Sequence, residues 1–128
     1  MIYSNHFEQL VAEALDSIPA DFQPYLENVA VVIEPWPTHY QLSRVGVRAG
    51  GLLLGLYEGI PRPRRPSSLS LVPPDKITIF QGCIELLYPD TLPDRDAAIR
   101  DRVRRVVLHE VAHHFGFGEE RLRELGLG

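Results

Sequence analysis

The stretch HEVAHHFGFGE, residues 109–119, is the most informative part of this chain. It begins with the pattern H-E-x-x-H, which places His109 and His113 one helical turn apart on the same face. Two imidazoles at that spacing can bind one zinc ion, and Glu110 can then accept the proton of a water molecule that the metal activates. The pattern therefore predicts a zinc site with His109 and His113 as ligands and Glu110 as general base.

A long helix is predicted to carry this pattern. Asp94, directly after Pro93, is a candidate N-cap, and apolar residues then recur at spacings of three and four as far as Ala112. The expected helix runs from about Asp94 to Phe115. It offers two pairs of opposite charge at four-residue spacing: Asp96 with Arg100, and Asp101 with Arg105.

A catalytic zinc site needs a third protein ligand and an open position, and the chain must reverse to supply that ligand. Gly116 can adopt the left-handed conformation that ends a helix. Glu119 is the preferred third ligand because it takes the place of the last histidine in the extended motif H-E-x-x-H-x-x-G-x-x-H. Glu120 remains an alternative, and Glu124 is more typical of the surface of a short final helix.

The C-terminal sequence HEVAHHFGFGEERLRELG resembles a family of small bacterial zincin-like metallopeptidases. Members share H-E-x-A-H-H-F-G with an acidic residue three positions later, and the segments GLLLGLYEGIP and PDKITIFQG are also similar to that family. The resemblance implies the α+β class and a minimal zincin-like fold, with a small, mostly antiparallel sheet packed on an N-terminal helix and the long helix. It also implies zinc held by His109, His113 and Glu119, with Glu110 as general base.

The same resemblance implies a peptide or protein substrate that binds as an extended strand at a sheet edge. Ile77–Phe80 or Leu52–Tyr57 would offer the main-chain hydrogen bonds. A further group that stabilises the developing oxyanion is expected, and the candidates are Tyr57, Tyr88 and His39. His114 points about 100° away from His113 on the helix, so we expect it to pack beside the site and not to bind the metal.

Two other functions remain open at this point. The larger extended-motif proteases carry a methionine-containing turn beneath the metal, and the only methionine here is Met1. This departure favours a zincin scaffold that binds a peptide or a regulatory partner and has little or no activity. The other alternative is a regulatory protein that cleaves or grips a single transcriptional repressor.

The remaining elements follow from local patterns of apolar residues. Phe7, Leu10, Val11, Ala14, Leu15 and Ile18 predict an amphipathic helix from about Asn5 to Ser17. Three short strands and one short helix are predicted at Val29–Ile33, Leu52–Tyr57, Ile77–Phe80 and Ile84–Tyr88.

Length and composition limit the class of protein. The 128 residues suit one domain, 1–128, with a surface loop at about 59–74 whose prolines exclude regular structure. The net charge of −4 argues against binding of nucleic acid, and the loop arginines have no aromatic residues between them for base stacking. No stretch is long enough to cross a membrane and the N-terminus lacks a secretory pattern, so a cytoplasmic protein is expected. Cys83, the single cysteine, is expected to be a small buried hydrophobe.

Overall fold

The structure is a computed structural model that describes residues 5–46, 52–59 and 74–124. Along the chain lie α1 (Asn5–Asp16), a 3-10 turn (Ala20–Phe22), α2 (Gln23–Leu26), β1 (Val29–Glu34), α3 (His39–Val45), β2 (Gly55–Glu58), β3 (Asp75–Phe80), α4 (Gln81–Leu86), α5 (Arg95–Phe115) and α6 (Glu119–Glu124). The α+β class predicted from the sequence is confirmed. Most of the predicted surface loop, residues 60–73, lies outside the described residues.

The three described strands form one sheet in the order β1-β3-β2. β1 and β3 run parallel, with Val29 opposite Asp75, whereas β2 and β3 run antiparallel, with Gly55 opposite Ile79. The sheet is thus mixed, not mostly antiparallel as the resemblance implied. Because the chain passes through α3 and β2 before it reaches β3, β3 can enter the sheet in the same direction as β1.

The main core lies between α1, α5 and one face of the sheet. The predicted apolar stripe of α1 is buried, with Phe7 and Ala14 each 1% exposed. It packs against the buried side of α5, and Ile77 and Ile79 of β3 complete the cluster. The N-terminal helix is therefore confirmed, although it ends at Asp16 and the Ser17 hydroxyl donates to the carbonyl of Ala14 at 2.7 Å.

A second, smaller core cluster lies on the other side of the sheet and contains Leu56, Phe80 and Cys83. Cys83 is 2% exposed, which confirms its predicted role as a buried hydrophobe. Burial raises the pKa of its thiol, because the charged thiolate loses its contact with water. The predicted strand at Leu52–Tyr57 starts only at Gly55, and the predicted helix at Ile84–Tyr88 starts earlier, directly after β3.

The start of α5 differs from the prediction in one detail. The helix begins at Arg95, so Asp94 does occupy the N-cap position. Its backbone is left-handed, with φ 54° and ψ 37°, and its side chain accepts no capping hydrogen bond. The prediction of a side-chain cap is therefore wrong, because capping needs an extended backbone that turns the carboxylate towards the first N–H groups.

Of the two predicted ion pairs on α5, one forms. Arg105 Nε donates to the Asp101 carboxylate at 2.8 Å, and this contact, with a second one from Arg104, holds the pKa of Asp101 below its usual value. The prediction that Asp96 pairs with Arg100 is wrong, because α1 lies alongside and supplies other partners. These are His6, 2.9 Å from Asp96, and Glu13, 3.2 Å from Arg100. None of the helices in the described ranges combines the length and apolarity needed to cross a bilayer.

Candidate active site

The last two turns of α5 present the H-E-x-x-H residues on one side of the helix. Leu108, Val111 and Ala112 are fully buried, which fixes the rotation of the helix about its axis. His109 and Glu110 are consequently left half-buried, and His113 is exposed. The His109 and His113 rings lie edge to face with centroids 6.2 Å apart.

That separation can be tested against the size of a metal ion. With a zinc–nitrogen distance of about 2.0–2.1 Å, the centroid of an imidazole ligand lies about 3.2 Å from the metal. At the tetrahedral angle that zinc prefers, two such rings have centroids about 5.2 Å apart. The observed 6.2 Å is about 1 Å larger, so the two side chains must turn towards each other to bind one ion. Neutral imidazoles are among the preferred ligands of zinc, and both of these lie on the same side of the helix.

Glu110 is held by the edge of the sheet. The backbone N–H of Tyr57, in β2, donates to Oε1 of Glu110 at 2.9 Å. Burial raises the pKa of Glu110, and the Tyr57 N–H and the nearby His113 offset part of that rise. A carboxylate whose pKa is raised is a stronger proton acceptor, so this environment suits a general base.

The chain reverses where the sequence predicted. Gly116 ends α5 in the left-handed conformation, with φ 74°, and the N–H of Phe117 donates to the carbonyl of Ala112 at 2.8 Å. α6 then starts at Glu119, but the Glu119 side chain lies outside the described residues. Within the described part of the chain, no three His, Cys, Asp or Glu side chains are grouped closely enough to hold a metal. The choice of Glu119 over Glu120 as third ligand therefore stays a prediction.

Only one of the two strands predicted to receive a substrate lies at a sheet edge. β3, which contains Ile77–Phe80, is paired on both sides, so that half of the prediction is wrong. β2 and β1 are the two outer strands among those described, and β2 lies against α5 because Gly55 has no side chain. A Cβ atom there would overlap Cγ1 of Val106. This close approach is what allows the N–H of Tyr57 to reach Glu110.

The three candidates for oxyanion stabilisation occupy different places. The Tyr88 hydroxyl accepts a hydrogen bond from Nε of Arg102 at 2.9 Å, and Arg102 precedes His109 by seven residues, about 10 Å along the helix axis. His39 is exposed at the first turn of α3. Tyr57 contacts Glu110, but through its backbone, since its hydroxyl donates to the Asp75 carboxylate at 2.6 Å.

His114 packs beside the site as expected. Its ring stacks on that of Tyr57, with centroids 3.9 Å apart and an interplanar angle of 15°. Its Nε2 lies 3.9 Å from Oδ2 of Asp75. Sequence reasoning did not single out Asp75, because no local pattern connects it with Tyr57 or with His114; both lie far from it along the chain, and strand order brings them together.

Comparison with known proteins adds a family and a fold. A sequence model described as Zincin-like metallopeptidase matches residues 26–128. Among solved structures, a conserved hypothetical protein from Thermo thermophilus is similar, with 22% sequence identity and a TM-score of 0.52 over 88% of this chain and 92% of that chain. At this identity the likeness concerns the fold alone. No curated protein matches at a significant level.

Proposed function

The chain belongs to the zincin-like metallopeptidase family, and from that premise we propose that it is a zinc-dependent peptidase that hydrolyses peptide bonds. Its α+β architecture is the minimal zincin-like fold. The observation that carries the proposal is the setting of Glu110. The half-buried Glu110 carboxylate follows His109 in sequence and lies near His113. The backbone N–H of Tyr57, at the sheet edge, orients it.

In this proposal His109, His113 and Glu119 hold the metal, and the cofactor is Zn²⁺. The two imidazoles lie on the same side of α5 with ring centroids 6.2 Å apart, and the reversal at Gly116 returns the chain towards the end of α5. A zinc ion bound there supplies Lewis-acid polarisation of the peptide carbonyl and lowers the pKa of a water molecule to about 7.

Glu110 performs the proton transfers. Its carboxylate accepts a proton from the attacking water and passes it to the nitrogen of the leaving amine. Burial favours this role because it raises the pKa of Glu110 and so makes the carboxylate a better acceptor. The hydrogen bond from Tyr57 holds Oε1, which leaves the second oxygen, Oε2, for the water.

We further propose that the substrate peptide binds as an extended strand beside β2. In an antiparallel ladder the N–H and C=O of every second residue point away from the partner strand. The bond from the Tyr57 N–H to Glu110 indicates that residue 57 points outward from β3. A peptide strand can therefore use the outward carbonyls of β2, with the side of α5 that carries Glu110 close by.

Glu110→Gln tests the mechanism most directly. The variant should retain zinc in elemental analysis while hydrolysis of a peptide library falls by roughly 10²–10⁴-fold, the usual contribution of a general base. Glu8→Gln, an exposed glutamate on α1, is the matched control and should behave as wild type. Cleavage by Glu110→Gln at the wild-type rate would show that the base is wrongly assigned.

Two further measurements separate the alternatives. Glu119→Ala and Glu120→Ala should differ in zinc affinity. Only the Glu119→Ala variant, which lacks the proposed third ligand, should release the metal. Treating the wild type with a chelator should abolish turnover. Chelator-resistant peptide binding with no cleavage under any condition would instead support the inactive scaffold.

A further inference from the structure

The short helix α6 starts at Glu119, the proposed third ligand, and only residues 116–118 separate it from α5. Two of these residues are glycines. Gly116 has a left-handed backbone, and nothing lies within 4 Å of the place where a side chain at Gly118 would begin. Neither glycine can fix the direction of α6 through a side chain. The position of Glu119 therefore depends on contacts that the neighbouring residues make with other parts of the chain.

Phe117, between the two glycines, packs against the segment at α2. Its ring meets the ring of Tyr25 edge to face with centroids 5.0 Å apart, and that of Phe22 with centroids 5.7 Å apart. Phe22 is 1% exposed and belongs to the main core. Edge-to-face pairs at such distances favour one ring geometry and stabilise it beyond the effect of the buried area. Phe117 thus fixes the chain just before α6 begins.

A second contact comes from α6 itself. The guanidinium group of Arg121 lies over the Phe22 ring, 5.6 Å from its centroid, which is within the range of a cation–π interaction. Nη2 of Arg121 lies 3.6 Å from Oδ2 of Asp21, and Nη1 donates to Glu124 of the same helix at 2.9 Å. The Asp21 side chain is 77% exposed, so its ion pair adds little to stability. The contact with the buried ring is therefore the more important one.

The two contacts lie on either side of the proposed ligand. Phe117 precedes Glu119 by two positions, Arg121 follows it by two, and both side chains meet the ring of Phe22. A carboxylate oxygen binds zinc at about 2.0–2.2 Å, so a shift of about 1 Å is enough to break the bond. Contacts that flank one ligand and converge on one buried ring restrict such a shift.

We propose that Phe117 and Arg121 are positioning residues for the third zinc ligand. They fix α6 against Phe22 and so keep the Glu119 carboxylate within reach of the ion that the two imidazoles bind. The proposal rests on the proposed function, since it concerns the metal site of that function. Residues that orient a metal ligand without touching the metal typically change metal affinity by about 10–100-fold.

The zinc affinity of the protein, measured by competition with a colorimetric chelator, tests this without peptide turnover. Phe117→Ala should weaken zinc binding by about tenfold or more. Arg121→Ala should weaken it by about two- to fivefold, the factor that an exposed cation–π contact contributes to an equilibrium. Arg123→Ala is the matched control on the same helix. Arg123 is exposed and forms no ion pair with another described residue, so its loss should leave zinc affinity unchanged.

The same substitutions in the Glu119→Ala protein show whether the effect passes through the ligand. Zinc binding by this protein is weaker and is measured at a correspondingly higher metal concentration. If Phe117 and Arg121 act by positioning Glu119, their removal has no further effect once that carboxylate is absent. Equal losses with and without Glu119 would mean that the two residues stabilise the whole site in general, and the positioning role would be wrong.

Conservative variants keep the test independent of folding. Phe117→Tyr retains the ring and Arg121→Lys retains the cation, so both should bind zinc more tightly than the corresponding alanine variants. If circular dichroism shows that Phe117→Ala does not fold, Phe117→Leu takes its place and should also bind zinc more weakly than Phe117→Tyr. Equal zinc affinity of the leucine and tyrosine variants would overturn the role of the ring.

The two proposals can fail separately. If Glu119→Ala weakens zinc binding but Phe117→Ala and Arg121→Ala do not, the ligand stands and the positioning role is refuted. If the variants weaken zinc binding through Glu119 but the wild type hydrolyses no peptide, the positioning role stands and the peptidase is removed. If Glu119→Ala binds zinc as tightly as the wild type, the positioning role fails, whereas chelator-sensitive hydrolysis by the wild type would still support the peptidase.

Discussion

Gly55→Ala should show that a missing side chain sets the distance between β2 and α5. The new Cβ would overlap Cγ1 of Val106 and would lie 3.2 Å from the carbonyl oxygen of Thr78. Ordinary contacts between carbon atoms are about 3.5–4.0 Å. Val106 cannot easily rotate away, because a helical valine strongly prefers one rotamer and this one is 9% exposed. The strand and the helix must therefore separate.

The expected loss in the free energy of unfolding follows from these contacts. Overpacking of a well-packed core destabilises by about 1–3 kcal/mol. The loss of backbone freedom in the unfolded chain offsets about 0.4–1 kcal/mol of this for a glycine-to-alanine change. We therefore expect Gly55→Ala to lower the free energy of unfolding by about 1–2 kcal/mol. The Tyr57 N–H should also lose its bond to Glu110, since the same displacement lengthens it.

Urea unfolding measures the first effect, and hydrogen exchange of the Tyr57 amide measures the second. Val106→Ala removes the overlapping methyl, so the double variant should be less destabilised than the sum of the single changes, by about 0.5–3 kcal/mol. Gly118→Ala is the control, because nothing lies within 4 Å of its new methyl group. Additive single changes, or a Gly55→Ala protein within about 0.5 kcal/mol of wild type, would refute the reasoning.

Three other predictions follow from single contacts. Gly116→Ala should destabilise by about 1–2 kcal/mol in urea unfolding because φ is 74°, and an effect no larger than that of Gly118→Ala would contradict this. The pKa of Asp101 is lowered in the folded state, so its contribution to stability is present above its unfolded pKa of about 3.9 and is lost as the pH falls through the folded value. Because its side chain is 49% exposed, Asp101→Asn should lower the free energy of unfolding by only about 0.3–0.5 kcal/mol at pH 7 and by less at pH 2, measured by urea unfolding at both pH values. Cys83 should react with a thiol reagent only at the rate of unfolding, and fast labelling of the folded protein would show that its thiol is accessible.

The long helix was predictable because its determinants are local. The apolar spacing defines the buried side of α5, and Gly116 ends the helix at the expected residue. The placement of His109 and His113 on one face follows from their four-residue spacing. α3 was not predicted, although Thr38 and Gln41 form a capping box at its start. That signal was present in the sequence and was missed because the helix is short and contains no apolar stripe.

Predictions failed where a distant element changed the pairing or the backbone conformation that neighbouring residues favour. Asp96 and Arg100 are spaced for pairing, yet each binds a residue of α1. Asp94 is a good capping residue by type, but its left-handed backbone turns it away from that role. The direction of β1 relative to β3, and hence the edge position of β2, depends on how the chain crosses between them.

By itself the sequence determined the H-E-x-x-H helix, its end, and the position of two imidazoles on one face of it, because all of these depend on contacts three or four residues apart. Only the tertiary structure decided that an N–H from β2, 53 positions away, binds the Glu110 carboxylate, and that Tyr57, Asp75 and His114 line a common cleft. Those contacts require a particular strand order and a glycine at position 55, where β2 approaches Val106 of α5. No periodicity in the sequence encodes either of them, because each is set by the packing of elements far apart along the chain.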